Sequence, residues 1–302
     1  MTNRHETYSA QINRVTTYIS VHITETLRLD DLAQIAGFSP YHFHRIFKNS
    51  TGENLNDFVV RRRLERAVAL MKANRSAQLT HIAVESGFSE LSVFSRLFKQ
   101  HYEFAPSQWD RITPLQLSKI RQAPSSLPLY TPAELEQMKD AEAFEVRLRD
   151  LAEQTIAYIR IVNAYANPQQ IMQAFLDLTS WAKVHAPGGT LIGMSEDDPD
   201  VTPPEQCRYD VCMTVPAATK VPAHLSVRTL PACRIAAIHC VGDIALVDRA
   251  WQYLYQHWLP YSSFLPDNIP AMEIYVRAPE EIGWETFDID CAIAIVPNEG
   301  IS

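Results

Sequence analysis

The stretch Gly37-Phe38-Ser39-Pro40-Tyr41-His42-Phe43-His44-Arg45-Ile46-Phe47-Lys48 has a second copy in the chain. It returns as Gly87-Phe88-Ser89-Glu90-Leu91-Ser92-Val93-Phe94-Ser95-Arg96-Leu97-Phe98-Lys99, 50 residues later at the glycines and 51 at the lysines. The second copy therefore carries one extra residue. Upstream, Leu32-Ala33 lines up with Ile82-Ala83. An internal repeat constrains the fold more than any local signal, because both copies must form the same unit. Each copy predicts helix, glycine turn, helix. Asp30 and Asp31 suit the positive end of a helix that Gly37 closes. Ser39 is expected as N-cap with Pro40 at the first helical position, and Ser89 as the cap in the second copy. Phe43, Ile46 and Phe47 fall on one face, as do Phe94, Leu97 and Phe98. Tyr41, His44, Arg45 and Lys48 fall on the opposite face, with Ser92, Ser95, Arg96 and Lys99 their counterparts. A polar, basic outer face on the second helix is the helix-turn-helix pattern.

A single amphipathic hairpin of this kind fits an ordinary helical domain. Two hairpins, each with an outer arginine and lysine three residues apart, fit paired nucleic-acid readers better. With Ala105-Pro106-Ser107 added, the chain resembles the AraC/XylS family of transcription regulators over roughly residues 8–112. The family usually continues the last motif with a Tyr-Arg pair, where this chain has Gln108-Trp109-Asp110-Arg111. The resemblance implies a DNA-binding domain of two helix-turn-helix units joined by a long helix. By position it implies base-edge contacts from Tyr41, His44 and Arg45, then from Leu91, Ser92, Ser95 and Arg96. Lys48 and Lys99 would serve phosphate. The two outer faces differ, so an asymmetric DNA site is expected. A first helix is predicted over 9–23. Residues 56–73 carry no Gly or Pro and predict a helix of ~27 Å, near the ~34 Å between major-groove faces on one side of DNA. Its run Arg61, Arg62, Arg63 and Arg66 reads either as a merely solvated face or as one from which one or two members contact phosphate.

Charge is uneven along the chain. Residues 1–115 balance to +3 and residues 116–302 to −11, within a total of −8. A basic module joined to an acidic one suits a polyanion binder with a second task. The five cysteines at 207, 212, 233, 240 and 291 are odd in number and form no Cys-x-x-Cys. Neither a disulfide framework nor a metal site is indicated, and a reducing cytoplasm is expected. No apolar run reaches the ~20 residues of a membrane span, and no signal peptide is read at the start. Pro114, Pro124, Pro128 and Pro132, with Ser125 and Ser126, predict a linker, with a short helix over 133–143.

The remainder alternates period-2 runs with helical runs, which predicts an α+β domain. It also repeats. Residues 155–160 match 234–239, a helical run near 168–184 matches one near 244–258, 191–195 matches 271–275, and 208–216 matches 289–297. The expected fold is thus multidomain: an all-α domain with two helix-turn-helix units over 1–112, a linker over 113–143, and an α+β domain of two strand-helix-strand-strand repeats over 144–302. The stretches Pro203-Pro204-Glu205-Gln206-Cys207-Arg208-Tyr209-Asp210-Val211 and Met272-Glu273-Ile274-Tyr275-Val276 make residues 144–298 resemble the GyrI-like effector-binding domain. That family often follows the glycine at 242 with Pro-Tyr, where this chain has Asp243-Ile244.

The resemblance makes Glu273 the pocket carboxylate, with Tyr275, Trp251 and Tyr255 as candidate lining. Its counterpart in the first half is Gly193. A carboxylate in an aromatic groove favours an organic cation. On the residues alone, a surface glutamate on a solvated strand face, or one paired with Arg277, is the better reading. The expected protein is a DNA-binding transcription regulator, not an enzyme, whose C-terminal domain senses a small hydrophobic molecule, an organic cation among the candidates. Its partners would be double-stranded DNA, the effector and RNA polymerase; no cofactor, metal or membrane is indicated. Two alternatives for the C-terminal domain are a small-molecule hydrolase using Glu273 and Tyr275, and a protein-binding module.

Overall fold

The computed structural model describes residues 2–74, 77–111 and 144–298. The predicted linker and the short helix over 133–143 lie outside the described residues. Six helices make the N-terminal part: α1 (Thr2–Val21), α2 (Leu29–Ala36), α3 (Pro40–Thr51), α4 (Leu55–Ala73), α5 (Leu79–Glu85) and α6 (Leu91–Tyr102). α1 begins earlier than the expected residue 9. Ile12, Val15, Ile19 and Ile23 bury their stripe against Leu32, Phe43, Phe47 and Phe58. The second unit packs Phe94, Phe98 and Tyr102 on Leu64, Val68, Met71 and Ile82. α4 thus supplies Phe58 to one core and Leu64, Val68 and Met71 to the other, so one rigid element of ~28 Å carries both hairpins.

The extra residue of the second copy sits in the turn. α3 starts three residues after Gly37, and α6 four after Gly87. Glu90, not Ser89, therefore holds the N-cap position of α6, and neither Ser39 nor Glu90 makes a side-chain cap bond. Absorbing the insertion in the turn keeps both recognition helices in phase, with Phe43 and Phe47 answering Phe94 and Phe98. Both turns close alike: Phe38 N–H donates to Ala33 O and Phe88 N–H to Ala83 O, each at 2.9 Å. Gly37 and Gly87 take φ of 71° and 85°.

The C-terminal part is one antiparallel sheet in the order β1-β6-β9-β8-β3-β4-β2-β5, with β7 added beside β9. The strands are β1 (Val146–Leu151), β2 (Gln154–Val162), β3 (Leu191–Ser195), β4 (Arg208–Val215), β5 (Ser226–Leu230), β6 (Cys233–Gly242), β7 (Phe264–Pro266), β8 (Ala271–Tyr275) and β9 (Phe287–Pro297). α7 (Pro168–His185) follows β2, α8 (Ile244–Gln252) follows β6, and a short α9 (Pro279–Ile282) follows β8. The helix expected over 244–258 stops at Gln252 and continues as a π-helical turn over Tyr253–Trp258. That wider turn shifts the aromatic side chains off the stripe of an unbroken α-helix.

The arginine run of α4 does not face solvent as a group. Arg61 and Arg62 reach Asp197, in the segment after β3, at 3.0 and 3.1 Å. Arg63 donates to the carbonyls of Ile23 and Glu25, and Arg66 to that of Glu85 and to Asn268 Oδ1. The expectation of a solvated face with phosphate contacts fails for Arg61 and Arg62, which are held by Asp197 of the sheet domain and by Glu53 and Glu65 of the helical one. Burial opposes the charge on Asp197, yet Arg208, Arg61 and Arg62 outweigh it and hold its carboxyl far below the usual range. Arg160 extends the junction, bonding Asp210 on β4 and Thr16 Oγ1 on α1. Apolar packing adds Ala73 against Leu259, Ile293 and Tyr255, and Val201 against the second helical core.

The two turn glycines differ in what an added methyl would meet. At Gly87 it would lie 2.6 Å from Ile23 O and 2.9 Å from Thr24 Cα; at Gly37 its nearest neighbour is Gln11 Nε2 at 3.6 Å. Gly37→Ala is expected to cost about 1 kcal/mol, the left-handed backbone alone. Gly87→Ala is expected to cost at least about 3 kcal/mol, because strain and overlap add. Urea unfolding of the two variants checks the difference.

Candidate DNA interface and ligand pocket

Tyr41, His44, Arg45 and Lys48 are all exposed on α3, and Tyr41 retains 75% of its surface. On α6, Leu91, Ser92, Arg96 and Lys99 are exposed and Ser95 is half-buried. Arg45, Lys48, Arg96 and Lys99 make no ion pair among the described residues. Ser92 Oγ donates to Glu90 Oε2 at 3.0 Å, which ties one candidate base reader to an acid of the turn. The two faces present different chemistry: Tyr-His-Arg-Lys on α3, Leu-Ser-Ser-Arg-Lys on α6. Both lie on side chains that the sheet domain leaves uncovered, unlike the arginines of α4.

Across the middle of the sheet, β3 and β8 pair antiparallel with Gly193 opposite Glu273. Tyr209 on β4 reaches over β3, and its Oη donates to Glu273 Oε2 at 2.6 Å. The Trp251 indole lies near the same carboxylate and favours its charged form. Tyr275 lies beside Tyr209 and sets its ring 5.2 Å from that of Phe175, edge on. Phe175 in turn meets Trp284. Tyr165 bonds Ser195 Oγ at 2.9 Å on the same side. Glu273 is thus a carboxylate within an aromatic ring of Tyr209, Trp251 and Tyr275. Burial pushes its pKa up, although Tyr209 and Trp251 pull the other way. Among the described residues no Lys or Arg pairs with it. The pairing with Arg277 does not form, because Arg277 bonds Asp288.

Gly193 is what makes room. A Cβ there would stand 1.8 Å from Tyr209 Oη and 2.9 Å from Glu273 Oε2. Of the candidate lining residues, Tyr275 and Trp251 meet Glu273 or its ring. Tyr255 stacks on Trp251 at 6.2 Å and packs toward Ala73 of α4, at the junction. Sequence reasoning missed Tyr209, Phe175 and Trp284. The signal for Tyr209 was present: it stands between Arg208 and Asp210, so strand alternation turns it to the face opposite theirs. Among the described residues no cluster suits a metal ion, and no helix is long and apolar enough to cross a membrane.

Known proteins bear on both regions. A family described as GyrI-like small molecule binding domain matches residues 144–295, and one described as helix-turn-helix domain matches residues 32–112. The DNA gyrase inhibitor of Serratia proteamaculans (strain 568) is 31% identical over 150 residues, which are 48% of this chain and 94% of that protein. The probable transcription factor PqrA of Proteus vulgaris is 36% identical over 86 residues, 28% of this chain and 69% of PqrA. The regulatory protein PocR of Salmonella typhimurium is 31% identical over 102 residues, and the chain spans 33% of its length. The chain belongs to the GyrI-like family, joined here to an AraC-type helix-turn-helix domain.

Proposed function

We propose that the protein is a one-chain transcription regulator that reads an asymmetric DNA site through α3 and α6 and binds an organic cation at Glu273. One observation carries the ligand class: a half-buried carboxylate, ringed by Tyr209, Trp251 and Tyr275, with no basic partner among the described residues. Such a site lacks one positive charge, and aromatic faces supply a second attraction for a cation. Arg45 and Arg96 read guanine edges; Lys48 and Lys99 hold phosphate; Tyr41, His44, Leu91, Ser92 and Ser95 complete the base-facing surfaces. Ligand binding shifts DNA affinity or the contact with RNA polymerase, provided that the ligand binds two states unequally. The domains are 1–112 and 144–302, with 113–143 as linker.

The C-terminal domain is read as two halves, β2-α7-β3-β4 and β6-α8-β8-β9. The strand order supports this, since it runs β6-β9-β8 on one side and β3-β4-β2 on the other. Positions equivalent in the two halves, Gly193 and Glu273, then face each other at the join.

Gel-shift titration of the full-length protein on its own upstream DNA tests the reading. Arg45→Ala and Arg96→Ala should each cost about 1–3 kcal/mol of specific binding, while Lys48→Ala and Lys99→Ala should each reduce the salt slope by about 1. Equal binding by all four variants would refute the assignment of these faces.

Calorimetry with tetraphenylphosphonium tests the pocket. Binding should be lost in Glu273→Gln. Burial raises the Glu273 pKa, so acidification protonates it and removes the charge that attracts the ligand. Affinity should therefore fall on acidification, the fall beginning above the ordinary glutamate range. A neutral ligand of the same shape that binds equally well would overturn the cationic class.

A further inference from the structure

The acidic segment that leaves β3 lies along α4 for about three helical turns. The Glu196 backbone carbonyl accepts from Arg62 Nη1 at 2.6 Å, and Asp197 accepts from Arg61 and Arg62. Asp198 and Asp200 hold Lys72 Nζ at 2.8 and 3.2 Å. Val201 enters the core of the second helix-turn-helix unit, and Thr202 Oγ1 donates to Glu65. Consecutive residues of the sheet domain thus grip the one helix that spaces the two recognition helices.

The same segment begins three residues after Gly193. Ser195, immediately before it, bonds Tyr165 beside the pocket. On β4 the pocket and the grip occupy adjacent residues. Arg208 binds Asp197 through Nε and Nη2 at 2.8 and 2.7 Å, Tyr209 donates to Glu273, and Asp210 binds Arg160, which reaches α1. Strand alternation places Tyr209 on one face of the sheet and its two neighbours on the other. Tyr209 cannot leave Glu273 without moving the backbone that carries Arg208 and Asp210, or turning its own side chain out of the ring.

We infer that residues 196–202 form a clamp on α4 that transmits occupancy of the Glu273 site to the relative setting of α3 and α6. This rests on the ligand-binding reading of Glu273 given above. A cation at Glu273 displaces the Tyr209 hydroxyl. The shift at β4 moves Arg208, which holds Asp197, and the grip on Arg61, Arg62 and Lys72 relaxes. Two recognition helices on one spacer bind a site of fixed spacing best when the spacer is held in one orientation. The clamp therefore acts on both half-sites at once.

Two arms on the full-length protein separate this inference from the ligand reading. In the first, DNA affinity is measured with and without tetraphenylphosphonium in the wild type, in Asp198→Asn/Asp200→Asn and in Arg62→Gln. The wild-type ratio should lie within about 5- to 150-fold, the usual span of allosteric coupling. It should fall toward one in both variants while calorimetry still detects the cation. Undiminished coupling in both variants would overturn the clamp. The second arm needs no ligand. Gly193→Ala drives Tyr209 off Glu273 by overlap, and hydrogen exchange is followed along α4. Faster exchange over residues 61–73 than in the wild type is expected, with circular dichroism unchanged. Unaltered exchange there would overturn the clamp even if the cation binds. Failure of tetraphenylphosphonium to bind, with faster exchange in Gly193→Ala, would sink the ligand class and keep the clamp.

Discussion

The junction depends on one carboxylate. Asp197 is fully buried and accepts from Arg208 of its own domain and from Arg61 and Arg62 of the helical one. Removing a carboxylate from water costs several kcal/mol, and only complete, well-aligned pairing offsets it. Neither domain alone supplies that pairing. Glu53 and Glu65 complete the surroundings of Arg61 at 2.6 Å each. A second set, Glu196 and Asp210 with Arg160 and Arg228, lies beside it. Burial pushes Asp210 up to about 6, while Arg228 and Arg160 overcome burial to hold Glu196 low. Such a network is weak as a source of stability and strict about geometry. A small slide of one domain on the other leaves buried charge unmatched, so the arrangement favours discrete positions over a continuum.

That strictness suits a sheet that separates two tasks. The aromatic site lies on one face at the centre, where β3 meets β8, and charged residues of β2 and β4 turn the other way toward α1 and α4. A residue's two strand neighbours lie on the opposite side of the sheet, so chemistry on one face is never far from chemistry on the other. Trp251 adds a second link, since it lies near Glu273 and stacks on Tyr255 beside Ala73 of α4.

Much of the helical domain was legible because its sequence states each unit twice, and Phe43, Phe47, Phe94 and Phe98 mark the inner faces at helical spacing. The misplaced cap at Ser89 came from an inserted residue whose location the helical period alone does not reveal. The arginines of α4 were misread for a different reason. A helix face rich in guanidinium looks alike whether it meets water, phosphate or a carboxylate, and Asp197 lies over a hundred residues away in sequence. Strands β1, β5 and β7 were not foreseen. β5 lies at the sheet edge and β7 is three residues long and ends in Pro266, so neither carries a strong apolar alternation; β1 does alternate, with Val146 and Leu148 between charged residues, a signal that could have found it. Glu273 stood out through family resemblance, and its lack of a basic partner became visible only when the strands were assembled.

The close approach at Gly193 has a consequence for stoichiometry. A domain built from two like halves would ordinarily offer two like sites. Here the equivalent positions meet at the join, and one of them is reduced to hydrogen so that Tyr209 can cross it. The two halves therefore share a single carboxylate, Glu273, and Tyr209 fills the place that a side chain at the equivalent position would take. On the reading proposed above, the acid contact for a guest comes from one half alone, which sets a stoichiometry of one per chain.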